Sequence, residues 1–258
     1  MHDPRENLMA VNVDIMRKKI YAYKNEKTGE GFDIPYRVYY PTDYNEKDEK
    51  KYPIFFFLHG HGECGIDNEQ QIRVLGKEHR LINMILERDD TVIVAPQCPC
   101  SPVHEWVPLR HAWMTGSREA LTEEPTLGLA AAEELLLHFL ESGKIDLDRV
   151  YSGGISMGGY GTWELITRRP ELFAASIPVC GAGIPSLASR LTDIAIWAFH
   201  GALDNTVPPS GSRDMVEAIL AAGGTKVRYT EFPGVWHDSW IKAYKTEGLV
   251  DWLYAQHK

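Results

Sequence analysis

Six short apolar runs, mostly continuous rather than alternating, recur along the chain: Pro53–Gly60, Thr91–Pro96, Arg149–Gly154, Ala174–Cys180, Ile194–Gly201 and Lys226–Phe232. A strand with one wet face alternates polar and apolar residues, whereas a strand covered on both faces does not. These runs therefore predict buried strands. The segments between them carry helical spacing. Within Glu123–Ser142, residues Leu129, Ala132, Leu136 and Phe139 fall near one face. A helix starting at Tyr160 should stop before Pro170, Arg213–Gly224 ends on glycines that can cap it, and Ser239–Gln256 reads as one closing helix. Strands alternating with helices predict a mostly parallel sheet flanked by helices. Two earlier runs, Lys18–Asn25 and Ile34–Pro41, alternate more cleanly and predict an antiparallel hairpin at the sheet edge. The expected organisation is a single α/β domain over residues 1–258, with an N-terminal extension (1–18) and a long loop (97–121).

One stretch between a predicted strand and a predicted helix, "YSGGISMGGYGTW" (Tyr151–Trp163), holds five glycines around a serine. Glycine is unfavourable inside regular elements, so this density implies a sharp bend or a close approach of backbones. Gly154-Ile155-Ser156-Met157-Gly158 is a G-x-S-x-G pentapeptide in the strand-to-helix context that gives the motif its meaning. Small residues two positions either side let a serine take a strained backbone conformation and project its Oγ from the sheet. The helix that starts after it presents a backbone N–H, on Met157, to a developing anion. The other reading, a dinucleotide-binding turn, fails on spacing: "GGISMGG" does not match G-x-G-x-x-G.

A serine nucleophile needs a base, and the base needs an orienting carboxylate. Asp204, in "HGALDNTVP", and His237, in "FPGVWHDSW", each follow a predicted strand. With Ser156 they would sit at the carboxyl ends of parallel strands, where open α/β sheets bind ligands. Asp193 precedes its strand, Asp214 sits in a helical pattern, and Asp238 adjoins His237. His2, His79, His138 and His257 fall in helical or terminal contexts, and His200 reads as a structural histidine. "FLHGHGE" (Phe57–Glu63) supplies a glycine-rich turn whose His61 N–H is the expected second oxyanion donor beside that of Met157.

Composition narrows the alternatives. A formal charge of −9 with no basic patch argues against nucleic acid as a partner. No apolar stretch approaches the roughly 18 to 20 residues that span a bilayer. The N-terminus lacks a signal-peptide core, so a cytoplasmic setting is expected for the chain as given, or a secreted one if a leader was removed. Four cysteines occur, at positions 64, 98, 100 and 180. The Cys98–Cys100 pair lacks the two-residue spacer of common metal or redox sites, and Cys64 is the one thiol beside the glycine-rich turn. No cofactor or metal is implied for the chemistry.

The segments "LHGHGE", "DLDRVYSGGISMGGYGTWEL", "HGALDNTVP" and "WHDSW" resemble the α/β-hydrolase superfamily, specifically its lid-poor serine esterases. The resemblance covers roughly residues 30 to 258 and points toward feruloyl and acetyl-xylan carbohydrate esterases and polyhydroxybutyrate-depolymerase-like enzymes. It implies a carboxylic ester hydrolase working through an acyl-enzyme. The same motifs occur in prolyl-oligopeptidase-like peptidases, which generally add a large access-restricting domain, and in dienelactone-hydrolase-like members, which usually carry cysteine where Ser156 stands. A non-catalytic binding protein on this fold is the remaining alternative.

The connection at residues 181–193 is too short for a lid domain, so an open site is expected. The proline-rich loop at 97–121 brings Trp106 and Trp113 toward the same sheet edge, and Trp236 adjoins His237. All three are expected to form an aromatic wall for short or aromatic acyl esters of carbohydrate-like alcohols.

Overall fold

The computed structural model describes residues 15–72, 80–99, 101, 103–108 and 121–258. Eight strands form one sheet: β1 (Arg17–Lys24), β2 (Gly31–Tyr39), β3 (Tyr52–Leu58), β4 (Val92–Pro96), β5 (Ile145–Ile155), β6 (Ala175–Val179), β7 (Ala195–Gly201) and β8 (Val227–Phe232), in the order β1-β2-β4-β3-β5-β6-β7-β8. The first two strands pair antiparallel, β2 meets β4 antiparallel, and every later pairing is parallel. The hairpin thus lies at the edge of a parallel sheet, as its alternating pattern predicts. Its first strand begins at Arg17, inside the segment read as an extension.

Six α-helices are described: α1 (Arg80–Arg88), α2 (Leu127–Glu141), α3 (Met157–Arg168), α4 (Ser210–Ala221), α5 (Trp240–Ala243) and α6 (Leu249–Tyr254). None of the expected helical segments covers α1. The expected closing helix is two short ones, because Gly248 takes a left-handed conformation (φ 74°) between them. The core divides into two apolar layers. Ile54, Phe56 and Leu58 of β3 face one layer with α2 and α3, and Phe55 and Phe57 face the other with α1 and α6. This is the two-sided burial that the unbroken apolar runs demand. Strand β8, at the edge, is only partly buried. The connection at 181–193 is mostly one 3₁₀ segment, Pro185–Leu191. No helix among the described residues is long and apolar enough to cross a membrane.

The strand-to-helix reversal between β5 and α3 is possible only with glycine. A Cβ on Gly158 would lie 1.9 Å from the Leu58 carbonyl oxygen and 2.6 Å from that of His59. Helix α3 therefore starts in backbone contact with the end of β3. Gly158→Ala should lower stability by about 3 kcal/mol or more, because the obstructing atoms are backbone. Gly62→Ala, where a Cβ would meet nothing within 4 Å, is the control. Denaturant unfolding of both variants makes the comparison, and a loss under about 1 kcal/mol in Gly158→Ala would remove the steric argument.

Candidate active site

Ser156 immediately follows β5 and caps the start of α3, with φ 53° and ψ −119°. Positive φ is strained for a residue with a Cβ, at a cost of order 1–3 kcal/mol. The surroundings hold it there: Ser156 N–H donates to Val179 O at 3.0 Å, and Ser156 O accepts from Tyr160 N–H at 3.0 Å. The side chain stands at the carboxyl edge of the sheet with little exposure. The neighbouring first-turn N–H groups of α3 lack intrahelical acceptors.

Asp204 follows β7 and His237 follows β8. The His237 ring bridges the other two groups, with Nδ1 2.7 Å from Asp204 Oδ2 and Nε2 2.8 Å from Ser156 Oγ. Asp204 Oδ1 accepts from the N–H groups of Thr206 and Val207, both at 2.9 Å. Burial alone would raise its pKa. Hydrogen bonds from His200 and His237 and the Val207 N–H outweigh that and hold the carboxyl well below the usual carboxylate range. An ionised Asp204 fixes the His237 proton on Nδ1, leaving Nε2 to accept from the serine hydroxyl. Asp193 and Asp238 have no part in this chain of contacts. Leu203 N–H donates to Val235 O at 2.8 Å, tying the acid loop to the histidine loop.

His200 is wholly buried, as expected of a structural histidine. It also touches the acid. Its Nε2 lies 3.0 Å from Val207 O and 3.3 Å from Asp204 Oδ2, and its Nδ1 lies 2.8 Å from Ser212 Oγ. The four-residue spacing to Asp204 was the sequence signal. Cys180, after β6, has φ 41°, and its sulfur lies within 4.8 Å of ligand atoms of both Asp204 and His237. Burial, then the Asp204 charge, push this thiol strongly upward, so it stays neutral.

The other side of the site is the turn after β3. His61–Glu63 forms one 3₁₀ turn. The Glu63 carboxylate accepts from the backbone N–H of Gly60 and of Glu63 itself, and burial raises its pKa. Gly60 N–H is therefore committed within the turn, which distinguishes it from the N–H of His61. The buried ring of His59 braces the turn from below. Its Nε2 accepts from Cys98 N–H at 3.1 Å, so its Nδ1–H donates to Gly60 O at 2.6 Å. Because α3 begins against Leu58 and His59, His61 and Met157 lie on two segments in backbone contact.

The structure corrects the expectation for Trp106. This residue is fully buried, so it presents no face to a ligand. Its Nε1–H donates to His59 O at 3.0 Å, its ring lies 5.0 Å from that of His59, and its Cβ packs on Gly161. It is a prop beneath the turn that bears His61. Trp236 is 53% exposed beside His237, and Trp240 meets the His237 ring edge-on at 5.5 Å. Trp113 and Cys100 lie outside the described residues.

Burial of His59 lowers its pKa from the ordinary 6.5 to about 4. The unfolded chain then binds a proton that the folded one refuses, so stability is full above pH 6.5 and falls as pH drops toward 4. The loss should reach about 3 kcal/mol. Thermal unfolding between pH 7 and 4 should show it, and His59→Gln should flatten the slope in that window. An unchanged slope would mean that the pH dependence comes from other groups.

No family model matches the chain, and no curated protein matches it. Among solved structures, a thermostable esterase is similar at 35% identity and TM-score 0.80 over 95% of this chain and 64% of that one. The chain thus spans just under two thirds of that esterase. A ferulic acid esterase is similar at 15% identity and TM-score 0.62, covering 92% of this chain and 98% of that one. Dipeptidyl peptidase 4 of Porphyromonas gingivalis is similar at 14% identity and TM-score 0.64, covering 94% and 36%. The last two likenesses show the fold alone. The chain has the α/β-hydrolase fold.

Proposed function

We propose that this protein is a serine-dependent carboxylic ester hydrolase that works through an acyl-enzyme. The observation that carries the reading is the His237 ring, within hydrogen-bond reach of Ser156 Oγ on one side and of Asp204 on the other. Similarity to the thermostable esterase favours an ester substrate. In this reading His237 Nε2 takes the Ser156 proton as Oγ attacks the ester carbonyl. Asp204, held ionised, keeps the ring in the required tautomer and stabilises its cation. The N–H groups of His61 and Met157 receive the oxyanion. His237 then protonates the leaving alcohol, and water attacks the acyl-enzyme by the same route in reverse. The residues require no cofactor for this sequence.

Short or aromatic acyl esters of carbohydrate-like alcohols suit the site best. The connection after β6 is short, with a 3₁₀ segment at Pro185–Leu191, so this connection carries no lid domain to exclude a bulky alcohol. Trp236 and Leu203, 53% and 47% exposed, stand next to the base and the acid. Their loops are joined by the Leu203–Val235 hydrogen bond. A flat indole at this place offers stacking area to a sugar or phenyl ring at low entropic cost.

Ser156→Ala should reduce hydrolysis of a p-nitrophenyl acetate by roughly 10⁴ to 10⁶. It should also lose labelling by a fluorophosphonate while unfolding normally. Asp204→Asn should be severely impaired because it favours the wrong tautomer. A parallel assay on aminoacyl anilides separates the peptidase alternative: turnover of anilides without esters would reverse the assignment, and turnover of neither would indicate a binding protein.

Trp236→Ala tests the substrate class. KM for a feruloyl or sugar-linked ester should rise by about tenfold, while KM for a small acetate ester should change little. Equal effects on both, or a preference for long-chain lipid esters, would reject an aromatic platform and leave the assignment of Ser156 intact.

A further inference from the structure

A second imidazole, which the proposed reaction does not use, stands against the acid. His200 is the penultimate residue of β7, has no exposure, and lies four residues before Asp204. Val207 O is a carbonyl and can only accept, so His200 Nε2, 3.0 Å away, carries a hydrogen and donates it. The same N–H faces Asp204 Oδ2 at 3.3 Å. Oδ2 therefore sits between two imidazoles, and Oδ1 between the N–H groups of Thr206 and Val207. A carboxylate offers about four lone-pair sites, and each here faces a donor. The two donors on Oδ2 differ in how they are anchored. His237 sits on a loop with its side chain 22% exposed, whereas His200 is on a buried strand. Only His200 gives Oδ2 a partner fixed in the sheet.

The other side of the ring leads toward the nucleophile. Ser212, buried in the first turn of α4, has its Oγ 2.8 Å from His200 Nδ1 and donates to Gly181 O at 3.0 Å. Gly181 lies backbone to backbone against α3, where a Cβ on it would be 2.3 Å from Gly159 C and 2.5 Å from Tyr160 N. Tyr160 N–H in turn donates to Ser156 O. Two routes thus join Asp204 to Ser156. One runs through His237, which gains and loses a proton in the proposed cycle. The other runs through His200, Ser212 and Gly181, all of them buried.

We propose that His200 is a positioning residue for the acid: its Nε2–H holds Asp204 Oδ2 in line with His237 Nδ1, and its link through Ser212 and Gly181 keeps that alignment fixed relative to the helix that follows Ser156. The kinetic consequence rests on the proposed hydrolase reading; the positioning itself does not. A displaced acid leaves ground-state binding of the ester alone. It weakens stabilisation of the imidazolium that forms in the transition state, so the loss falls on kcat.

The test is a set of variants assayed on p-nitrophenyl acetate, each checked by thermal unfolding. His200→Leu removes the donor, and kcat should fall by roughly 10- to 100-fold with KM within about twofold of the parent. His200→Gln places an amide N–H near the same point and should restore kcat to within about fivefold of the parent. In an Asp204→Asn background, His200→Leu should cost less than about twofold, because a residue that acts through the acid has nothing left to position. Parent kcat in folded His200→Leu would overturn the proposal. So would equal losses in His200→Leu and His200→Gln, which would make ring bulk the cause, and so would an undiminished loss in the Asp204→Asn background. If His200→Leu does not fold, Ser212→Ala takes its place: kcat should fall by about threefold or more, and no fall would overturn the link. A readout independent of turnover is the downfield proton resonance of His237 Nδ1–H on Asp204, identified by its absence in His237→Ala. It should shift or broaden in His200→Leu and stay near its parent position in His200→Gln. An unchanged resonance in His200→Leu would overturn the positioning. Should Ser156→Ala hydrolyse the ester like the parent, the hydrolase reading fails, and this resonance decides the proposal by itself.

Discussion

The backbone contact between the start of α3 and the end of β3 governs the rest of this site. Gly158 leaves no room for a side chain against the carbonyls of Leu58 and His59. That contact lets the chain reverse within one residue, with Ser156 at the apex in a strained conformation. The strain is sustained because β5 is the central strand between β3 and β6 and its flanks are packed on both faces. The same contact fixes the distance between the two segments that carry Met157 and His61. One steric requirement thus places the candidate nucleophile and brings the candidate oxyanion donors beside it.

A second layer of order lies beneath the candidate catalytic groups. Asp204 is held by two backbone N–H groups and two imidazoles. The turn after β3 is held by the neutral ring of His59 from below and by the indole of Trp106 on the His59 carbonyl. Thr126, which caps α2, donates to Glu105 O at 2.5 Å and so anchors the Trp106 segment to the helix. Buried polar groups of this kind are fully satisfied, and this is what makes them rigid supports rather than destabilising burials.

The charges are distributed to match. Asp204 keeps its charge in a buried place because four donors face it. His59 stays neutral because burial disfavours its cation and both ring nitrogens are engaged. Cys180 stays a thiol because burial disfavours its thiolate and because a second anion beside Asp204 would be repelled. Asp204 therefore keeps a negative charge within hydrogen-bond reach of the His237 imidazole.

Sequence alone determined what depends on neighbours in the chain. The apolar runs required buried strands, the glycines around Ser156 required a close turn, and Asp204 and His237 had to emerge at one sheet edge because each follows a parallel strand. Those are consequences of local sterics and of the period of a strand. Tertiary structure decided what depends on segments far apart. Trp106 was legible as an aromatic residue on a loop near the site, but whether it faces ligand or core depends on how that loop folds over Gly161 and the His59 carbonyl. Cys64 reaches Cys98 only because the ends of β3 and β4 lie side by side. Ala243 of α5 and Leu249, Val250, Trp252 and Leu253 of α6 pack into the same apolar layer on either side of the left-handed Gly248. Burial and side-chain pairing are properties of the assembled packing, and no pattern along one segment specifies which distant segment will cover it.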